Sequence, residues 1–388
     1  MDFTLSPAQA ALQERATAAG AEFRDACGAW DLADEAPYRE IFDRMGELGF
    51  FGLTMPSEFG GQDLSALDYL IATTAIFRAS QTWLCCEPLF CTTGPGPSMI
   101  MLGDEGVREK YLPDIVAGRR GCNIALTEPN AGSALTHLST TAKRDGDDYI
   151  VTGSKSYVTG AVVNDLHAVF VRFDDIPGAK GVGALVLEDR MEGVRVERGP
   201  RFVGDRGIPH GDLFLDEVRV PAENLIIGPG QFARLMSAFN MERLHNCAFW
   251  LGSSLAAYDE AAKHVQQREA FDRPLVEFQA VYHDLANMWT QIEALRLLAT
   301  QAAATAKDGK YPDLHMVTMA KLFGATVGPQ ITLKSMELHG GVGVTLDAPI
   351  QRIHRDAISN VVAGGAPAVL RNGIAAGLFP GRRFPQTR

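Results

Sequence analysis

Apolar residues return every three or four positions through "PAQAALQERATAAGAEF", "YREIFDRMGELGF" and "LDYLIATTAIFRA", and this spacing predicts amphipathic helices over the first part of the chain. Ser6, Pro7 and Gln9 read as N-cap, first-turn proline and capping-box partner for the earliest of them. The turn-rich "PSEFGGQD" interrupts the pattern. From about Gly121 the texture changes. "DDYIVTGSKSYVTG", "LHAVFVRF", "GVGALVLED", "GVRVERGP" and "GDLFLDEVRVP" are β-branched, partly alternating and broken by Gly, Pro and Asp, as strands are. Helical spacing resumes beyond Gly228, over about 232–267, 275–306, 312–339 and 366–377, which suggests a four-helix bundle. The expected fold class is therefore multi-domain α and β, with a helical domain over 1–119, a β domain over 120–228 and a helical bundle over 229–388.

Composition narrows the function classes. A chain of 388 residues with 46% hydrophobic and 21% charged content suits a soluble globular protein with a large core. With 36 basic against 47 acidic residues the net charge is -11, so the overall field repels nucleic acid and anionic membranes, and neither is an expected partner. No apolar run approaches the roughly 20 residues that span a bilayer. The acidic start "MDFTLSPAQ" has no signal-peptide character, which points to a cytoplasmic location. Six cysteines form no CxxC pair and nine histidines form neither HExxH nor an i, i+4 pair, so no metal is expected.

The chain has no strand-linked GxGxxG, no GxxxxGK[ST] and no GxSxG, which removes support for nicotinamide, nucleoside-triphosphate and serine-hydrolase readings. "HGGVGV" (339–344) reads equally as a helix C-cap followed by a turn and as a phosphate contact. One acid stands out. In "SAFNMERLHNCAFWLG" (237–252), Glu242 lies within a helix expected to be buried, with Phe239, Ala238, His245, Asn246 and Phe249 at helical spacing around it. Such a surround raises a carboxyl pKa toward the range useful for proton abstraction; a structural ion pair with an arginine or a bond to Asn246 is the alternative.

The stretch "ALTEPNAGSALTHLSTTAKRDGDDYIVTGSKSYVTGA" (125–161) resembles the flavin-binding core of the acyl-CoA dehydrogenase family. Further matches are "FGLTMPSEFGGQDLS" (51–65), "DEVRVPAENLIIG" (216–228), "QREAFDRPLVEFQAV" (267–281), "ELHGGVGV" (337–344) and "RDA" (355–357), so the resemblance runs nearly end to end. It implies a helical, β-barrel, helical fold with FAD between the barrel and the C-terminal helices. It also implies FAD contacts from Leu126, Thr127, Gly132, Ser133, Tyr157 and Thr159. Thr159 matches the position serving flavin N5, Thr127 the pyrimidine edge and Ser133 the pyrophosphate. Glu337, Gly340 and Gly341 match further cofactor positions. Arg268 and Phe271 match residues that reach the adenosine half of FAD in a neighbouring subunit, which implies a homodimer or homotetramer. A guanidinium suits that place because it pairs two phosphate oxygens at once.

Dehydrogenation of an acyl thioester removes a proton from Cα and a hydride from Cβ, so a carboxylate must sit over Cα. Aligning "RDAISNVVAGGAPAVLRN" (355–372) on the family's Tyr-Glu-Gly-Thr stretch puts Gly364 at the acid's usual position. Relatives of the isovaleryl, long-chain and prolyl-carrier-protein types instead carry the acid on a C-terminal-domain helix, and Glu242 matches it, followed by Arg243 as a substrate contact. The Gly364 N–H would still bond the thioester carbonyl. The implied activity is FAD-dependent α,β-dehydrogenation of an acyl-CoA or acyl-carrier-protein thioester, with Glu242 as base, hydride transfer to flavin N5 and an electron-transfer flavoprotein or other acceptor. The alternatives are a partner subunit of a mixed oligomer and family chemistry such as desulfination or flavin oxygenation. Ala134, Tyr157, Asp272, Glu337 and Ala366 depart from the family pattern. Glu337 replaces a glutamine, and its charge is expected to repel phosphate.

Overall fold

The computed structural model describes residues 4–307 and 311–382. Helix α1 (Pro7–Ala33) begins as the sequence predicts: Ser6 Oγ accepts from Gln9 N at 3.2 Å, and Gln9 Oε1 accepts from Ser6 N at 3.1 Å. Then come α2 (Tyr38–Glu47), α3 (Ala66–Ser80), α4 (Glu87–Thr93), α5 (Pro95–Ile100) and α6 (Glu105–Val116). The segment that periodicity leaves unread, 83–99, folds into the short helices α4 and α5, and both are wholly buried. They meet at Gly94, where a Cβ would lie 2.4 Å from Phe90 O.

Strands β1 (Cys122–Ala125), β2 (Thr141–Asp145), β3 (Asp148–Val158), β4 (Leu166–Phe173), β5 (Val182–Glu188), β6 (Val194–Arg198), β7 (Gly211–Pro221) and β8 (Leu225–Ile227) form one branched sheet, ordered β6-β7-β3-β2-β4-β5-β8, with β1 beside β4. The branch lies along β4, whose first half pairs with β1 in parallel while Arg172 and Phe173 pair with β2. One face packs Val151, Val169, Val171, Phe173, Leu185 and Leu213 into the sheet's own interior. The other receives Ile100, Tyr111 and Ile115 from the N-terminal helices and Leu235 from beyond the sheet.

The C-terminal part comprises α7 (Phe232–Ala238), α8 (Asn240–Gln267), the hairpin β9 (Glu269–Ala270) and β10 (Arg273–Pro274), α9 (Gln279–Ala304), α10 (Leu314–His339), α11 (Pro349–Ser359) and α12 (Pro367–Leu378). The long helix expected over 232–267 is two helices. They meet at Phe239, where Glu242 N bonds back only three residues to Phe239 O, at 3.1 Å, and tightens the turn. Helix α11 is an addition to the expected bundle.

Helices α8 and α10 run parallel, as three contacts show. Trp250 fills a groove over Gly324 and Gly328, Ser335 Oγ donates to Ala257 O at 2.7 Å, and the rings of His264 and His339 stack at 4.4 Å. Tyr69 and Phe77 of α3 share a core with Phe249 and Trp250 of α8, so the two helical domains close over one interior. A Cβ at Gly328 would lie 2.3 Å from Trp250. Gly328→Val is therefore expected to lower stability by roughly 1 to 3 kcal/mol through overpacking, read as a lower urea midpoint at unchanged slope.

Candidate active site

The tightened turn at Phe239 puts Glu242 in the first turn of α8 and 7% exposed. Its Oε1 accepts from Asn246 Nδ2 at 3.0 Å, while Oε2 accepts nothing from the protein. Burial pushes the carboxyl up to about 7, against the opposing influence of Asn246, Lys321 and Arg243. No ion pair joins Glu242 to Arg243. The guanidinium of Arg243 lies over the Phe239 ring at 5.4 Å and donates to Asn240 Oδ1 at 2.9 Å, and burial draws its pKa down to about 10.

Gly364 lies against this acid. A Cβ built on it would be 3.4 Å from Glu242 Cγ and 2.8 Å from Asn246 Nδ2, and its φ of +64° favours glycine in any case. Its N–H donates to no acceptor among the described residues. The turn carrying it is tied to α10 by Lys321, whose buried ammonium donates to Val361 O at 3.0 Å and Gly365 O at 2.7 Å. Burial lowers Lys321 to about 8. The preceding helix is tied to the sheet domain: Asn360 Nδ2 donates to both oxygens of Asp205 at 2.8 and 2.9 Å, and Asp205 N donates to Asp356 at 2.8 Å.

The N-terminal domain supplies the opposite wall. Tyr69 hydrogen-bonds His245 Nδ1, and the His245 ring packs on Trp83 at 4.4 Å and Phe90 at 4.9 Å. Phe249 meets Trp83 at 4.9 Å.

On the sheet side, the segment holding Leu126, Thr127, Gly132 and Ser133 is fixed by a buried ion pair. Glu128 Oε1 accepts from Lys155 Nζ at 2.7 Å and from Thr140 N at 3.0 Å, while Oε2 accepts from the backbone and hydroxyl of Ser139 at 2.6 Å. Burial opposes the charge on Glu128, but Lys155 and these donors bring the carboxyl down to about 2. Lys155 also donates to Leu126 O at 3.2 Å, and Thr127 O accepts from Ser156 N at 2.8 Å. Strand β3 is irregular between Lys155 and Val158. There Tyr157 takes a φ of +61°, donates its N–H to Asp212 at 3.0 Å, and shows 55% of its surface beside the Phe202 ring at 6.1 Å. Thr159 follows at the strand's end.

These features fit FAD. An exposed aromatic platform suits a flat ring system, and the exposed Gly132 and Ser133 offer unencumbered backbone and a hydroxyl for phosphate, with nothing within 4 Å of a Cβ at Gly132.

Arg268, Phe271, Glu337, Gly340 and Gly341 gather at the other end of α8 and α10. From Glu242 to Arg268 is about 39 Å along the helix axis. The hairpin turn at Phe271 and Asp272 has φ of +52° and +62°, so Asp272 adopts the left-handed conformation without a glycine, and Phe271 is 89% exposed. Gly340 caps α10 with a φ of +61°. The charge on Glu337 is countered by Lys334 at 2.5 Å. The structure thus brings Glu242 and Gly364 together and leaves the Arg268 group remote. Sequence reasoning missed Lys321, Glu128 and Lys155; the one available signal was a charged residue at an otherwise apolar helical or strand position.

The chain matches the family models for the acyl-CoA dehydrogenase N-terminal domain over residues 6–119, middle domain over 123–218 and C-terminal domain over 232–379. It is 33% identical to a 3-(aryl)acrylate reductase of Clostridium sporogenes, covering 90% of this chain and 92% of that one. It is 32% identical to a 3-sulfinopropanoyl-CoA desulfinase of Variovorax paradoxus, covering 100% and 98%. A solved glutaryl-coenzyme A dehydrogenase in complex with glutaryl-CoA superposes with a TM-score of 0.93 at 30% identity, over 98% of both chains.

Breaking the buried pair tests its hold on the Leu126–Ser133 segment. Lys155→Met leaves Glu128 ionised and unpaired and is expected to cost about 3–5 kcal/mol of stability, with weakened FAD retention; adding Glu128→Gln should recover part of both. Urea denaturation and the flavin-to-protein absorbance ratio after gel filtration measure the outcome.

Proposed function

Because the chain belongs to the acyl-CoA dehydrogenase family of FAD-dependent oxidoreductases, we propose that it removes a proton from Cα of an acyl thioester with Glu242 as the base. Bound FAD supplies the hydride acceptor for Cβ. The observation that supports this reading is the proximity of Glu242 and Gly364, the two positions that the resemblance matches to a helix-borne and a late-chain acid.

Glu242 suits the task because one oxygen is held by Asn246 and the other is free, so the side chain is oriented yet able to accept a proton. Its pKa near 7 leaves a substantial carboxylate population at neutral pH while keeping it more basic than an exposed glutamate. The unengaged N–H of Gly364 is a donor for the thioester oxygen, where negative charge grows as the proton leaves. Donors of this kind are typically worth roughly 2.7 to 4 kcal/mol in the transition state. Lys321 positions that N–H by holding the carbonyls on either side of it. Arg243 stays with Asn240 and Phe239 and serves as a substrate contact through its unpartnered Nε.

Leu126, Thr127, Gly132, Ser133, Tyr157 and Thr159 would hold the flavin and its phosphates. Arg268, Phe271, Glu337, Gly340 and Gly341 would meet the cofactor of another copy of the chain, in a homodimer or homotetramer. An electron-transfer flavoprotein is the acceptor that relatives support.

Glu242→Gln keeps the shape and the Asn246 contact but cannot take a proton. FAD should remain bound while anaerobic bleaching by an acyl-CoA panel falls by at least a thousandfold; unimpaired bleaching removes Glu242 from the mechanism. Sulfite release without enoyl product from a sulfinopropanoyl thioester would favour desulfination instead.

The raised pKa sets the pH dependence. Protonation below it removes the base, so the reduction rate should drop about tenfold per unit of falling pH below about 7 and level off above it. Stopped-flow reduction across pH 5.5–9, on the order of that range, checks the inflection. An unchanged rate at the acid end would contradict the assignment.

A further inference from the structure

The wall facing Glu242 contains a second acid that the dehydrogenation step does not use. Glu87, at the start of α4, is fully buried; the Trp83 side chain is its one favourable polar neighbour, and neither carboxylate oxygen has a partner at full hydrogen-bond geometry. It lies in the same cluster as the reacting acid, since the charge on Glu242 is the largest electrostatic influence on it, followed by that of Asp205. Burial and these neighbours push the Glu87 carboxyl up to about 8, so it is mostly neutral at pH 7 and carries a proton to donate as well as a carbonyl to accept. Asp205 is engaged by Asn360, whereas Glu87 is not.

His245 presents the complementary group. It is fully buried one helical turn after Glu242, and burial holds its pKa down to about 3, so the ring is neutral. Tyr69 keeps its phenolic proton, because burial raises its pKa well above the usual value, and with that hydroxyl donating to Nδ1 the ring carries its own proton on Nε2. Nε2 has no protein partner. Trp83 meets the His245 ring edge-on and Phe90 meets it at a tilt, and Trp83 also neighbours the Glu87 carboxyl, so the two groups share one aromatic surround. Buried polar atoms left unpaired are costly, and two from separate domains beside the base mark a ligand-facing surface.

Resting on the reading of Glu242 as the base, we propose that Glu87 and His245 form a polar end to the acyl pocket, and that the substrate's acyl chain carries a hydroxyl group that accepts from His245 Nε2 and donates to Glu87. A hydroxyl satisfies both groups without adding charge. A carboxylate on the acyl chain would lose its water beside three buried acids, Glu87, Glu242 and Asp205, and be repelled by any of them that is ionised, which separates this pocket from one built for an acidic acyl group. The aromatic walls admit both aliphatic and aryl chains, so the experiment includes each.

The probes are unreactive thioether analogues of hexanoyl-CoA and 3-phenylpropanoyl-CoA, their hydroxylated counterparts (4-, 5- and 6-hydroxyhexanoyl, and 3-(4-hydroxyphenyl)propanoyl), and the glutaryl analogue. Binding to the holoenzyme is measured by calorimetry. In the native chain at least one hydroxylated analogue should bind ten- to a hundredfold more tightly than its parent, and the glutaryl analogue least well. Glu87→Leu, close in volume and free of a buried carboxyl, should reduce that ratio to about one, while Glu87→Gln should keep most of it. Equal or tighter binding of the unsubstituted parents to the native chain, or a ratio that survives Glu87→Leu, overturns the proposal. Bleaching by the reactive unsubstituted thioesters separates the two levels: if they bleach the flavin but no hydroxyl preference exists, only the Glu87 assignment fails. If no acyl thioester binds or bleaches, the dehydrogenase reading fails and this one with it.

Discussion

A carboxylate withdrawn from water and left with one oxygen unbonded is the constraint around which the centre of this protein is arranged. Moving Glu242 from the ordinary carboxyl range to about 7 corresponds to roughly 3 kcal/mol against its ionised form. The helical domains must share one core to exclude water there, which Tyr69, Phe77, Phe249 and Trp250 achieve between α3 and α8. Enough opposing polarity must also remain for the charge to exist at all. Asn246 supplies a bond, and Lys321 and Arg243 supply positive potential without forming an ion pair with the acid. Had either cation closed on Glu242, the carboxylate would have been stabilised into inertness.

That alternative is visible in the same molecule. Glu128 is also buried, yet it receives a lysine, a hydroxyl and two backbone N–H groups, and its pKa moves down to about 2 instead of up. The residue type is the same, and a paired ammonium with its accompanying donors makes the difference. A saturated carboxylate fixes the Leu126–Ser133 segment, while an unsaturated one is available for proton transfer. The ammonium of Lys155, together with the added donors, distinguishes the two acids.

Hydrophobic period and capping chemistry identify most of the helices and the longer strands. The Ser6 box forms as its residues suggest, and the three-part order of helices, strands and helices follows from the change of period alone. The break at Phe239 carries no Gly or Pro, so nothing local announces it. Helix α11 has a proline at its first position and an apolar stripe, but it is short and follows a glycine-rich turn. Strands β1, β2 and β8 have between three and five residues, too few for alternation to declare itself. Candidate site residues are legible where a motif singles them out. Lys321, Lys155 and Glu87 are not, because a buried charge and a solvated one are written with the same letter, and only the residues brought opposite them by folding tell which it is.

The relation between Glu242 and Gly364 has a steric logic independent of resemblance. Gly364 has a left-handed φ, and its missing Cβ leaves only 2.8 Å to Asn246 and 3.4 Å to Glu242. A side chain at 364 would push against Asn246 and against Glu242, after adopting a backbone conformation that L-residues disfavour. The space beside Gly364 therefore holds the side chains of Glu242 and Asn246 and leaves none for a side chain from position 364. With the carboxylate on α8, the late turn offers its backbone at 364, and Lys321 holds the carbonyls of Val361 and Gly365 on either side of it. The glycine at 364 is in this setting the steric complement of Glu242.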